Sequence, residues 1–236
     1  MLNSLFGKGM STIDIAFLLL SIPAVVFSLS FHEAAHGYTA GKMGDQTARF
    51  HGRVTLNPLK HLDPIGALSM LFFGIGWAKP VPVNPRNFKN PKKGMALTGL
   101  AGPVSNLILA FGSLLIYRII AAIVPLSVFF EKGLLYYRPG AFSVIDFVAM
   151  FFMNMASLNI GLAVFNLIPV PPFDGSRVFY FLLPDRYYFG VMRYERTIMV
   201  VTMVLLLVGV LDVPLAFVRQ ILIRLFEFII GLVPFL

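Results

Sequence analysis

The sequence contains no cysteine. That excludes disulfides, thiolate metal sites and a cysteine nucleophile, so any bound metal must be held by His, Asp or Glu. Charge is scarce too: 13% of the 236 residues are Asp, Glu, Lys or Arg, against about 25% in a soluble globular domain. Acidic residues are few, 11 against 19 Lys and Arg, which leaves a formal net charge of +8. No aromatic-interleaved basic patch accompanies that excess, which argues against a nucleic-acid partner. No internal repeat or low-complexity tract is evident, and no stretch is long and polar enough for an appended soluble domain. A single membrane-embedded domain over 1–236 is expected. The N-terminus does not read as a signal peptide, because only Lys8 precedes an apolar run that leads directly into two histidines.

What the chain has instead is apolar length. Hydrophobic residues make up 58% of it, and its mean hydropathy is +0.82. The expected fold class is an all-α polytopic membrane protein, with a three-helix core plus one or two C-terminal helices. Spans are expected at about 13–41, 95–124, 144–168 and 197–211, each judged against the roughly 20 residues that cross a bilayer. A last segment, 215–236, carries Arg219, Arg224 and Glu227 on one side of a helical wheel. It either lies in the interface or crosses as a fifth span with its polar face inward. Residues 64–85 are apolar but broken by Gly and Pro, which predicts a re-entrant hairpin or loop rather than a span.

Nine Lys and Arg residues lie between Lys42 and Gly94, and Arg177, Arg186, Arg193 and Arg196 follow the third span. The connection between the second and third spans holds only Arg118, Lys132 and Arg138. The positive-inside bias therefore predicts that the first two regions are cytoplasmic and the third external. A multi-pass cell-membrane protein with its candidate site toward the cytoplasm is expected.

The densest chemical signal is His32-Glu33-Ala34-Ala35-His36, an H-E-x-x-H motif. From Ile13 to Phe31 the run that leads into it holds one charge, Asp14. Histidines at i and i+4 share a helical face, so both imidazoles can bind one Zn²⁺. Glu33 lies about 100° around the helix from His32, close enough to take the proton of an attacking water. Zinc in a hydrolase wants a third protein ligand. His51 and His61, both in the basic loop, could serve on composition alone. Asp174 is the stronger candidate, because Pro169, Pro171 and Pro172 before it prevent a regular helix and let the side chain turn toward a site. The plainer reading of Asp174 is an N-cap for a helix starting near Ser176.

The combination of His32-Glu33-x-x-His36 in a membrane helix with Asn166-Leu-x-Pro-x-x-Pro-x-Asp174-Gly175 resembles the site-2 protease family of intramembrane zinc metalloproteases. Leu56-Asn57-Pro58, Asp63-Pro64-x-Gly66, Ala78-Lys79-Pro80-Val81-Pro82-Val83 and Gly102-Pro103-x-x-Asn106 resemble its bacterial members, and together they cover about residues 20–185. The resemblance implies that His32, His36 and Asp174 bind zinc, that Glu33 is the catalytic acid/base and that Asn166 stabilises the oxyanion. A helix–helix hydrogen bond is the alternative for Asn166, and Asn106 reads equally as helix packing or as support for the site. Ser176 departs from the pattern, standing where many members have a second Gly. No PDZ or CBS domain is expected. The implied partners are the lipid bilayer and transmembrane proteins or remnant signal peptides, cut by regulated intramembrane proteolysis. The resemblance implies hydrolysis in or near their transmembrane segments. A membrane metal-binding or transport protein is the competing reading; it would spread ionisable residues along a path through several spans. We further expect the 64–85 segment to pair with an unwound substrate as an added strand.

Overall fold

A computed structural model describes residues 12–63, 65–66, 78–131, 134–137 and 142–232. The expected re-entrant stretch lies largely outside the described residues, since 64 and 67–77 are not among them; 78–84 is extended chain. In chain order the elements are α1 (Thr12–Met43), α2 (Thr47–Phe50), α3 (Pro91–Ile123), β1 (Val128–Glu131), β2 (Leu134–Tyr137), α4 (Val144–Asn166), α5 (Gly175–Leu182), α6 (Asp185–Arg193), α7 (Glu195–Leu207) and α8 (Asp212–Gly231). The architecture is all-helical apart from the short β1–β2 hairpin, an antiparallel pair in which Val128 faces Tyr137 and Glu131 faces Leu134.

Three helices are long and apolar enough to cross a membrane: Ile15–Met43, Pro91–Ile123 and Val144–Asn166. They coincide with the first three expected spans. The chain near 197–211 does not form a fourth straight span of its own. It breaks at Gly209, whose φ of 78° caps α7 in a Schellman turn. Val210 N–H donates to Leu205 O and Gly209 N–H to Leu206 O, as that motif requires. α7 and α8 therefore meet at 82°, which makes them one broken span or a re-entrant pair.

The polar residues of α8 are exposed, and two of them link the helix to its neighbours. The Arg219 guanidinium donates to Ser157 Oγ at 2.6 Å, and Arg118 on α3 lies 3.5 Å from Glu227. Its apolar side joins the main cluster, where Phe226 and Ile230 pack with Leu114 and Tyr117 of α3 and Ile160 and Val164 of α4. Phe226 meets Phe111 edge-on, with ring centroids 5.3 Å apart.

Within lipid, apolar burial gains little over lipid contact, so close packing and polar pairs hold such helices together; each interhelical hydrogen bond contributes about 0.6 kcal/mol on average. α1 and α4 share two of them. Asn154 Nδ2 donates to Ser21 Oγ, and Asn159 Nδ2 donates to Ser28 Oγ, both at 2.7 Å. α4 starts with a capping box in which Ser143 and Asp146 bond each other's backbone N–H. Asp146 also accepts from Ser127 N–H at 2.7 Å, tying the hairpin's approach to the helix end.

On the opposite side the strap 78–87, extended over 78–84 and ending in a 3-10 turn, is latched to the chain that follows α1. Asp45, which has no exposed surface, accepts from Asn84 N–H at 2.7 Å and from Asn87 Nδ2 at 2.7 Å. It also accepts from Thr47 N–H and Oγ1. The buried Arg53 guanidinium donates to the carbonyls of Lys79 and Pro80, and Lys79 N–H donates to His61 O at 2.8 Å. Burial raises the Asp45 carboxyl, but the donors from Thr47, Asn84 and Asn87 outweigh it and hold it below the ordinary carboxylate range.

A group held down in this way contributes stability that is present above its unfolded pKa and is lost as pH falls through the folded one. Asp45→Asn turns one acceptor into a donor facing Asn84 N–H and is expected to cost about 1.5–3 kcal/mol, the scale of a hydrogen bond to a charged group. Thermal unfolding of the two proteins should differ fully at neutral pH, and the gap should close only below about pH 4. An equal midpoint for both at neutral pH would contradict the latch.

Candidate metal centre

His32 and His36 lie on one face of α1 because they are one turn apart, and both rings are buried, 5% and 9% exposed. Their planes cross at 89° with centroids 4.5 Å apart. The two Nε2 atoms are 2.9 Å apart. Asp174 Oδ2 lies 3.0 Å from His32 Nε2 and 3.2 Å from His36 Nε2. The structure thus brings all three expected ligands together, and among the described residues they form the one His/Asp/Glu group able to hold a metal.

The hydrogen-bond pattern fixes what those atoms can do. His36 Nδ1 faces the Thr98 carbonyl at 2.6 Å. A carbonyl only accepts, so Nδ1 carries the proton and Nε2 is left as a lone pair. His32 is fixed by a longer relay. Asn159 Nδ2 donates to the Met155 carbonyl at 2.8 Å and to Ser28 Oγ, which orients its amide. Its Oδ1 then accepts from Asn106 Nδ2 at 2.6 Å. Asn106 Oδ1 in turn accepts from His32 Nδ1–H at 2.5 Å. Asn106 and Asn159 have no exposed surface.

Two imidazole lone pairs and a carboxylate oxygen therefore meet with no proton assigned between them, an arrangement that repels itself unless a cation sits there. The donor set, two nitrogens and one oxygen, suits zinc. The edges of a tetrahedral zinc site with ligand bonds of about 2.0–2.1 Å are about 3.3 Å long. The edges here, 2.9, 3.0 and 3.2 Å, are close to that. The residues fit the ion.

Asp174 reaches the site through the turn after α4. It stands at the N-terminus of α5, yet its side chain makes no cap hydrogen bond. The plainer N-cap reading is therefore not how the carboxylate is used. The turn is closed by Phe173, buried and packed edge-on against Phe165 with centroids 4.5 Å apart. Gly175 is demanded by backbone proximity: a Cβ there would fall 2.3 Å from Leu167 O. Ser176 needs no such room; its hydroxyl folds back to Phe173 O at 2.7 Å. On α3 the site needs a glycine too. A Cβ on Gly102 would lie 2.5 Å from His36 Nε2 and from His32 Cε1.

Glu33 is half-buried beside the cluster, and its Oε2 accepts from Val81 N–H at 3.0 Å. Asn166 stands at the end of α4, and its Nδ2 donates to Leu162 O at 3.0 Å within its own helix. His51 is exposed. His61 is buried, and its Nε2 donates to Thr55 O at 2.8 Å; neither joins the cluster. Sequence reasoning did not reach Thr98, which acts through its carbonyl and leaves no side-chain signal. It also did not reach Asn159, whose signal was there: an amide in the middle of an apolar helix. Between α1 and α3 runs an apolar groove of about 510 Å³, lined by Phe31, Ala34, Ala35 and Tyr38 and by Val104 and Ile108.

Comparison with known proteins adds independent findings. The family model described as peptidase family M50 matches residues 20–209. YwhC of Bacillus subtilis, named as a candidate zinc metalloprotease, is 44% identical over 161 residues, covering 68% of this chain and 67% of its own length. Rip2 of Mycolicibacterium smegmatis, named in the same way, is 28% identical over 162 residues, 66% of this chain and 54% of that protein. A Methanocaldococcus jannaschii protein with the same description is 29% identical over 169 residues, 70% of this chain and 71% of its own. No solved structure gives a significant match.

Gly102→Ala should expel metal by pushing on both rings, and Asn106→Ala should weaken it by freeing the His32 tautomer, by about 10–100-fold for such a supporting partner. Zinc content after dialysis against a graded chelator measures both; wild-type retention in Gly102→Ala would contradict the geometry.

Proposed function

We propose, for a chain that belongs to peptidase family M50, the site-2 protease family, and is therefore a multi-pass membrane zinc metalloprotease, that it hydrolyses peptide bonds in or near the transmembrane segments of membrane-protein substrates. The observation that carries this reading is where the His32, His36 and Asp174 atoms converge. They meet against a helix long and apolar enough to span the bilayer, with Glu33 one residue from a ligand. The groove between α1 and α3 supports it, because it borders the helical turns that carry both histidines. The described helices are read as parts of one catalytic domain. The basic loops support a site on the cytoplasmic side of the cell membrane, by the positive-inside bias.

His32, His36 and Asp174 would hold the zinc. When bound, the ion supplies Lewis acidity that acidifies the attacking water and polarises the scissile carbonyl. Glu33 Oε2 is the general base: it takes the water's proton and returns it to the leaving amine nitrogen. Val81 N–H, bonded to the same oxygen, orients the carboxylate. Asn166 has two N–H donors and the bond to Leu162 O uses one. The second is the oxyanion donor we assign, a role worth about 2.7–4 kcal/mol where measured in other hydrolases. The burial of His32 and His36 keeps bulk water from weakening these charge interactions.

A helical substrate hides its peptide bonds, so it must unwind to be cut. The extended strap at 78–84 is the edge on which it would lie, by strand addition. Val81 N–H is taken by Glu33, so Val83 is the position that tests pairing alone. Val83→Pro should lower turnover of a helical substrate in proteoliposomes while leaving zinc content unchanged. Undiminished turnover would sink the pairing.

Glu33→Gln is the test of the mechanism. The variant should keep its zinc and lose cleavage of a transmembrane substrate by at least about a hundredfold, the lower range for a general base. A soluble peptide of the same sequence cut as fast as the membrane-borne one would overturn the substrate class but not the protease.

A further inference from the structure

The loop that carries Asp174 forms one wall of a second cavity, which the hydrolytic mechanism does not use. It measures about 490 Å³ and is lined by Pro171, Pro172, Arg177, Arg193, Glu195, Arg196 and Met199. That lies within the usual span of small-ligand sites, about 300–1,000 Å³. Its charge is unbalanced. Three arginines line it with one glutamate, and that carboxylate is engaged, with Arg177 lying 3.3 Å from Glu195 Oε1. Arg193 and Arg196 are exposed and have no ion pair among the described residues. Guanidiniums gathered around a hollow, with prolines as rigid walls, are the chemistry of a phosphate or phosphodiester site.

The cavity's position says which phosphate. It opens at the start of α7, on the same side of the helix assembly as Asp174. Beyond Arg196 the same face of α7 becomes purely apolar. Arg196, Met199, Met203 and Leu207 fall within about 80° of one another on a helical wheel, and the last three are 36%, 44% and 75% exposed. A basic rim that runs into an exposed apolar stripe matches a molecule with an anionic head and hydrocarbon tails. We propose that this cavity binds the phosphate headgroup of an anionic membrane lipid, with Arg193 and Arg196 on the phosphate and the acyl chains along Met199, Met203 and Leu207. Arg177 links the two sites: its backbone N–H donates to Asp174 O at 3.0 Å. A bound headgroup would compete with Glu195 for its guanidinium.

The test is calorimetric titration of the zinc-loaded full-length protein in non-ionic detergent. The probes are dioctanoyl phosphatidylglycerol, dioctanoyl phosphatidylcholine and inorganic phosphate. Phosphatidylglycerol should bind well above the other two. Arg193→Gln with Arg196→Gln should weaken it by about thirtyfold, about fivefold for each basic residue near an anionic surface. Glu195→Gln should tighten it by freeing Arg177, a gain that misfolding cannot imitate. The exposed arginines Arg49 and Arg86 serve as the control, and replacing both by Gln should leave affinity unchanged. Equal binding of phosphatidylcholine, an unaffected Arg193/Arg196 pair, or the same loss from the Arg49/Arg86 pair would each overturn the site. Inorganic phosphate binding as tightly as phosphatidylglycerol would overturn the lipid as its occupant.

Discussion

Three lone pairs directed at one point, on His32, His36 and Asp174, are the constraint around which the helices are arranged. The i, i+4 spacing puts both histidines on one face of the helix, but it does not by itself aim their lone pairs. Each ring must first be told which nitrogen keeps its proton. His36 is instructed by the Thr98 carbonyl, and His32 by a relay that starts at the Met155 carbonyl and passes through Asn159 and Asn106. The relay spans α1, α3 and α4, so the electronic state of one imidazole is set by the packing of three helices. Buried polar networks of this kind are costly when incomplete and rigid when complete.

Close approach follows from the same demand. The rings lie against α3 where Gly102 has no side chain, and the Asp174 turn lies against the end of α4 where Gly175 has none. Each contact is set by backbone against ring or backbone against backbone, with no flexible side chain between to absorb error. The strap on the far side of Glu33 is held by different means, through Arg53 on its carbonyls and Asp45 on the Asn84 N–H and the Asn87 amide. Its prolines at 80, 82 and 85 cannot donate, so the N–H of Val81 is one of few left to orient the base.

Much of this was legible in the chain. The i, i+4 spacing of His32 and His36 placed two ligands on one face before any coordinates. The prolines ahead of Asp174 marked a turn rather than a helix. The first three spans could be read from apolar length alone. The break between α7 and α8 was less visible, because a glycine in an apolar run is common in membrane helices and only its left-handed φ turns the chain. The supporting atoms were hidden for a different reason. Thr98 and Met155 act through carbonyls that every residue possesses, and Val81 acts through an amide. Asn159 carried a visible side chain, but its meaning depends on which helix it faces. The membrane family resemblance supplied roles for Glu33 and Asn166 that geometry alone supports unequally. Glu33 borders the cluster, while the bond that Asn166 makes stays within its own helix.

The two serine–asparagine bonds between α1 and α4 have a mechanical meaning. One bond between two rods still lets them pivot and roll. Two bonds, about two turns apart along α1, oppose pivoting and couple the pair as one body. The histidines ride on one member of that body, and the loop bearing Asp174 leaves the end of the other. Tilting of this pair in a lipid membrane therefore tends to carry the ligands together rather than apart.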